Sequence, residues 1–492
     1  MQEYSMKRRN HATLAALKGA LLAATLFATP AFAQTATPEG AKQLQDALIK
    51  TFGPAAFDKG IVSISPQGSA YAVKVDLNAA RGEASKAGVT INVDPLVYMA
   101  TPNSDGTYAV TTDSPINYSF STDKDDKPFD MKFNAACKGS GVFDPKISAF
   151  STYDASCPSA SMVAHSPEQD IDASFGSINS KVTGQAAGSG GTTIGLSGTL
   201  NDFVEKITIK DKDTPVQVTI HAKSGTQDIS VDSAQLTSIL GIVSLAANAA
   251  HPKDLIPQQD AIKQKVLAAL PLWNNMSGKA SLNDVSVDTP IGTVKLGSFE
   301  ESIGLTGAIK DANYSVAIKY AGLELPQGPI PAWVAPLVPT QGNIDLKFSG
   351  VDLDGLARLA IQNFDATKDP PIPDSLTGQF LAMVMAGQPH VTLSPSTLTA
   401  SSGAVSAEGT MSVFPSQQGK MTISATNLDQ IIAAVNAAEV PDKQQTMMGV
   451  ALVKGLAKTG PDGKAVWDVE FDAATKAISV NGQVLSAGGG DQ

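Results

Sequence analysis

Residues 39–52, "EGAKQLQDALIKTF", place Ala41, Leu44, Leu48 and Phe52 three or four positions apart, which is one apolar stripe of an amphipathic helix. From about residue 60 to 225 the period drops to two. "SAYAVKVDL" alternates, "VTINVDPLVYMATPNSDGTYAVTTDSPINYSFS" holds the turn "NSDG" between two strand-like runs, and "TPVQVTIHAKS" is a further strand. The glycine cluster at 188–191 marks a linker or hairpin tip. "DSAQLTSILGIVSLAANAA" (232–250) reads as a helix capped by Asp232 or Ser233.

The pattern then restarts. "QQDAIKQKVLAALPLW" (258–273) is helical, and strands follow, among them one with Tyr314, Val316, Ile318 and Tyr320 on a single face. After the proline-rich crossing "LPQGPIPAWVAPLVP", the segment "GNIDLKFSGVDLDGLARLAI" runs from strand period to helix period. "GKMTISATNLDQIIAAV" (419–435) does the same. Met421 and Ile423 oppose Thr422 and Ser424, and Leu428, Ile431, Ile432 and Val435 then share a helical face that Asn427 or Asp429 is placed to cap. Helices are also expected over 374–387 and 442–458. The expected fold is α+β and predominantly antiparallel β, with extended curved sheets and a few amphipathic helices packed on one face. The expected division is residues 1–33 as a leader, 34–253 as a β-rich half, and 254–492 as a half with strand–helix repeats.

The N-terminus changes the picture most. Lys7, Arg8, Arg9 and Lys18 precede "GALLAATLFAT" (19–29), and Pro30 then Ala31-Phe32-Ala33 supplies a helix break and an A-x-A site. This is a signal peptide cut between Ala33 and Gln34. Its eleven-residue apolar stretch is too short for a span, which needs about 20 residues. No integral membrane helix is expected after its removal, and the location expected is periplasmic. The net charge of −11 becomes more negative once the basic leader is gone, which argues against nucleic acid as a partner. The two cysteines, Cys137 and Cys157, read as a disulfide in an exported chain. That bond would pin "KGSGVFDPKISAFSTYDAS", a segment read as loop-like.

A search for chemistry returns mostly blanks. His165, His221, His251 and His390 are far apart and in no metal-binding spacing, and His221 faces away from Val218 and Ile220. Ser121 and Lys124 form an S-x-x-K in a charged loop that also holds Asp123, Asp125, Asp126 and Asp130, without the order of a calcium loop. No catalytic residue, cofactor or metal is therefore assigned. Aromatics at 6% are thin for a sugar-stacking surface. Met383, Met385, Met447 and Met448 fall in two late helices, where methionine suits either a core or an irregular apolar ligand. Trp333, Leu337 and Val338, on the stiff crossing, are candidates for the lip of an apolar groove or for a connection packed on a sheet edge.

"APLVPTQGNIDLKFSGVDLDGLARLAI", "EGTMSVFPSQQGKMTISATNLDQIIAAV" and "AVWDVEFDAATKAISVNGQVL" together resemble the C-terminal part of a family of exported alphaproteobacterial proteins of unknown function. That family offers no catalytic residues to carry over. The order strand, short helix, strand also resembles the repeats of AsmA-type envelope proteins, whose curved sheets form a lipid groove; the likeness is one of architecture. The reading that follows is a non-enzymatic envelope protein that binds or shields an amphipathic ligand such as lipid, or a partner protein. A hydrolase with a spatially assembled site and a purely structural protein are the alternatives.

Overall fold

A computed structural model describes residues 36–80, 88–122, 128–210, 214–248, 252–326, 331, 333–414, 417–437 and 443–486. The leader with Ala33 and Gln34, the loop residues Asp123 to Asp126, and His251 lie outside them. Most of the described residues lie in antiparallel strands, with several helices among them, so the fold is α+β and rich in β. It divides into two compact units, one of Met1–Pro167, Ser177–Gly198 and Val231–Leu272, the other of Glu168–Gly176, Thr199–Ser230 and Trp273–Gln492.

The first unit begins with α1 (Pro38–Phe52) and α2 (Pro54–Asp58). The Thr37 side chain accepts a hydrogen bond from the Gly40 amide at 3.0 Å and caps α1, with Pro38 at its first position. Then come β1 (Val62–Gln67), β2 (Ala70–Val75), β3 (Val89–Val93), β4 (Leu96–Pro102) and β5 (Tyr108–Thr122). They are followed by β6 (Phe129–Asp144), β7 (Ala149–Cys157), β8 (Ala160–His165) and, past β9 (Gln169–Phe175) of the second unit, β10 (Ser177–Ala186). The ladder runs β1–β2–β4–β5–β6–β7–β10, with β3 extending β4 along β5. Three residues of the stripe expected on α1 are buried: Ala41, and Leu44 and Leu48, which are wholly buried in one cluster with Val73, Val110 and Phe143. Phe143 meets Phe150 edge-on at 5.4 Å. Gly40 is required here, because a Cβ would run into the Tyr71 hydroxyl.

Cys137 and Cys157 form a disulfide. One edge of β6 pairs with β7 over Lys138–Asp144 and with β8 over Asp130–Ala135. The bond therefore sits where β6 changes partner. The segment it spans is the β6–β7 hairpin, not a loop. Gly139 and Gly141 interrupt the apolar alternation there; the Tyr153 ring lies over Gly139, and the β7 backbone at Thr152 and Tyr153 comes close to Gly141.

The long strands β11 (Thr192–Ile209) and β12 (Val216–Ala234) contribute residues to both units. The helix expected to start at Asp232 or Ser233 starts later, as α3 (Leu236–Asn248), with α4 (Gln259–Ala269) after it. Asp232 and Ser233 end the strand instead: the Asp232 carboxylate accepts from Thr193 at 2.8 Å, and Ser233 is buried at φ 55°. Their cap-like sequence is used for a cross-strand bond.

The second unit is a meander of β13 (Asn275–Thr289), β14 (Gly292–Thr306), β15 (Ala312–Ala321) and β16 (Gln341–Val351). It continues through β17 (His390–Ala400), β18 (Gly403–Ser412) and β19 (Gln418–Thr426). The short β20 (Lys458–Thr459), then β21 (Ala465–Asp472), β22 (Ala477–Val480) and β23 (Gln483–Ser486), complete it. α5 (Leu353–Asn363) and α6 (Thr377–Ala386) leave between β16 and β17; α7 (Leu428–Asn436) and α8 (Lys443–Leu456) leave between β19 and β21. The repeated element is thus strand–helix–helix–strand, with the flanking strands paired directly. The two copies begin differently. Asp352 caps α5 by accepting from the Gly355 amide at 2.8 Å. Asn427 is left-handed at φ 53° and its side chain makes no cap bond, while Asp429 pairs with Lys454 at 2.7 Å. Neither expected cap of α7 therefore acts as one.

Candidate functional site

Directly opposed residues in an antiparallel ladder lie on the same face of the sheet. In the second unit this rule collects the apolar residues into rows. One row is Leu305, Tyr314, Phe348, Val391 and Met411. The next is Ile303, Val316, Leu346, Leu393, Gly409, Met421 and Val469. Glu301, Ile318 and Ile344 form a third. A fourth is Phe299, Tyr320, Gly342, Leu398, Val405 and Ala425, in which Tyr320 and Leu398 close over Gly342. The opposite face carries Lys319, Asp345, Lys347, Glu408, Lys420, Asp468 and Glu470 among serines and threonines. Ion pairs lace that face: Glu300 takes Lys279 at 2.8 Å and Lys319 at 3.5 Å, and Lys420 takes Glu470 at 2.8 Å. Such exposed pairs add little stability, up to about 1 kcal/mol each.

The apolar face is open to a degree unusual for a sheet of this size. Tyr314 is 44% exposed, Leu346 42%, Val405 43% and Met411 45%. Ile303, Ile318, Ile344, Phe348, Leu398 and Met421 are also exposed. Among the described residues of this unit, the buried apolar side chains are Ala173, Ala222, Ala312, Pro389, Ala425, Trp467 and Val480. Large exposed apolar surface on one face marks an interaction site rather than a finished core.

One end of the face is closed. Leu428 of α7, Leu456 of α8 and Ala457 pack on Ala425, Trp467 and Val480. The Trp467 Nε1–H donates to the Val453 carbonyl at 2.8 Å, which satisfies the one polar group of the indole. The candidate lip lies beside this closure. Ala335–Leu337 is a single 3-10 turn next to α7, and the Pro336 carbonyl accepts from the Ser402 amide at 3.1 Å. Trp333, Leu337 and Val338 are each half-buried. At the opposite end of the strands, α5 and α6 meet where Met383 lies over Gly355. Met385 and Met448 face outward, as do Leu381 and Leu452.

Charge is nearly absent from these rows. Glu301 is the one carboxylate in these rows. Near β9, Glu205 of β11 stands between Phe203 and Ile207, opposite Ala173, and burial holds its carboxyl above the usual carboxylate range. Phe203 stacks with Phe175 at 5.1 Å.

Of the histidines, His221 is exposed and 3.7 Å from Asp288. His390 lies on the polar face, half-buried, with Nε2 3.2 Å from Ser349 Oγ and Nδ1 3.1 Å from the Gln388 carbonyl. A carbonyl only accepts, so Nδ1 carries a proton; in the neutral ring Nε2 then accepts from the serine. Among the described residues no group of three or more His, Cys, Asp or Glu is placed to hold a metal ion, and no helix is long and apolar enough to cross a membrane. The alternation of Tyr314 to Tyr320 is legible in sequence. Ile344, Leu346 and Phe348 alternate in the same way, but which face they share with Tyr314 to Tyr320 is set by the pairing of β15 with β16. Comparison with known protein families, with curated proteins and with solved structures finds no match.

Proposed function

We propose that this chain is an exported, non-enzymatic envelope protein whose second unit holds the apolar part of an amphipathic ligand such as a lipid. In this reading the sheet is curved, and amphipathic helices cover its apolar side only in part. The observation that carries it is the set of adjoining rows around Leu346, in which large apolar side chains stay more than a third exposed on one face while the other face is mostly polar. Acyl chains are the natural complement of a surface with that little charge. Affinity for a fluorescent phospholipid in the micromolar range, about −8 kcal/mol, is expected. Leu346→Asp and Val405→Asp should each lower it about tenfold or more, because a buried unpaired charge is costly, with little change in melting temperature. Absence of binding by the native protein, together with a large melting loss in both variants, would sink the reading in favour of a closed structural sheet.

A second reading has one observation in its favour, the Ser349–His390 contact with its tautomer set by Gln388. A serine activated in this way is a nucleophile of the hydrolase type. Labelling by a fluorophosphonate, lost in Ser349→Ala, would support it; no labelling removes it.

A further inference from the structure

Glu301 is out of place by the logic of the sheet around it. Its row neighbours across β15 and β16 are Ile318 and Ile344, and its partner on β13 is Ala280. Two positions further along its own strand, on the same face, lies Ile303. Lys279 and Lys319 sit nearby in sequence register but on the other face, where both are taken by Glu300. No hydrogen bond or ion pair is made by the Glu301 side chain among the described residues, and the lysine in step with it on β14, Lys295, is six residues away and pairs with Glu324 at 3.8 Å. A carboxylate flanked by isoleucines in partly desolvated surroundings repels a second anion and attracts a cation more strongly than it would in water. The rows on either side of Glu301 run from β14 to β18 across four strand spacings, roughly 19 Å, so a long chain laid along them can end beside Glu301.

Resting on the apolar-face reading above, we propose that Glu301 selects the head of the ligand: the face takes a long-chain amphiphile carrying a protonated amine in preference to one ending in a carboxylate or phosphate. Glu205, between Phe203 and Ile207, repeats the arrangement of an acid on an apolar face.

The test compares dodecylamine, 1-dodecanol and dodecanoate, which share one chain and differ in charge, by displacement of Nile red from the full chain. The expected order is amine, then alcohol, then carboxylate. Glu301→Gln should weaken the amine about fivefold, the scale of one partly exposed ion pair, and tighten dodecanoate. Glu301→Lys should reverse the order. Glu408→Gln makes the same charge change on the polar face of β18 and should leave the order intact. If dodecanoate binds native protein as tightly as the amine, or if Glu408→Gln acts as strongly as Glu301→Gln, general charge governs the preference and the proposal falls. If none of the three displaces the dye, the apolar-face reading itself fails. Melting temperatures of the three variants within a degree or two of native confirm that folding is not what is being read.

Discussion

The two units treat the same kind of surface in opposite ways. In the first, the apolar face of the sheet meets α1, and Leu44, Leu48, Val73, Val110 and Phe143 are all but inaccessible to water. In the second, residues of equal size on an equally alternating sheet, such as Leu346, Phe348 and Met411, remain more than a third exposed. The difference lies in what covers the strands. The first unit brings a helix with Leu44 and Leu48 across its face. The second sends its helix pairs out at opposite ends of the strands, and α7 and α8 close only the neighbourhood of Trp467. Alternation therefore makes a sheet two-faced, but it does not decide whether the apolar face becomes a core or a surface.

The largest expected effect separates the two directly. Phe143→Ala should destabilise the first unit by about 4 kcal/mol, since it leaves a cavity under α1. Phe348→Ala in the second unit should cost about 1 kcal/mol or less, because that ring already faces solvent. Denaturant unfolding followed by circular dichroism measures both, and equal losses would break the comparison. Next in size is the disulfide. Its ends are 20 residues apart, and replacing Cys137 and Cys157 together by serine should cost about 3 kcal/mol in the chain-entropy description. That loss should appear in hydrogen exchange over β6, β7 and β8 and leave β13 to β19 unchanged. Trp467→Phe tests the small closed part of the second unit. It removes the bond to the Val453 carbonyl and should cost about 1 kcal/mol, read as faster amide exchange in α8.

The smallest effect concerns a local polar contact. The Asp365 carboxylate accepts from Thr367 Oγ1 at 2.6 Å and from the Thr367 amide at 3.0 Å, and Lys368 Nζ lies 3.3 Å away. Led by the Thr367 hydroxyl, these contacts pull its pKa down to about 2. A carboxylate held below its unfolded value, about 4, contributes stability above that pH and loses it as pH falls through the folded value. Carboxyl-carbon NMR should therefore give Asp365 a midpoint near 2, and Thr367→Ala should return it towards the ordinary range. A midpoint near 4 in the native protein would show that the turn is not held by this carboxylate.

Much of this was legible from residue order. The α1 stripe, the turn after β4, the two late strand-to-helix transitions and the cysteine pair all rest on contacts between residues close in sequence, or on a reaction open to only one pair. The misreadings share a cause as well. The β6–β7 hairpin hid behind Gly139 and Gly141, whose close neighbours are Thr152 and Tyr153 on the next strand. Asp232 and Asn427 have the chemistry of caps, but Thr193 claims the first and a left-handed backbone withdraws the second. The open face was half visible, because Tyr314 to Tyr320 alternate plainly, yet one strand does not reveal what lies above it.

The sequence by itself determined period, polarity and the sidedness of each strand, since these follow from where successive side chains point along a chain of known geometry. Only the tertiary structure decided that Leu44 is core and Leu346 is surface, because burial depends on which distant element crosses a face. That choice is made by loop lengths, by the strand ends from which the helices leave, and by registers such as Ser349 with His390, none of which is written in local periodicity.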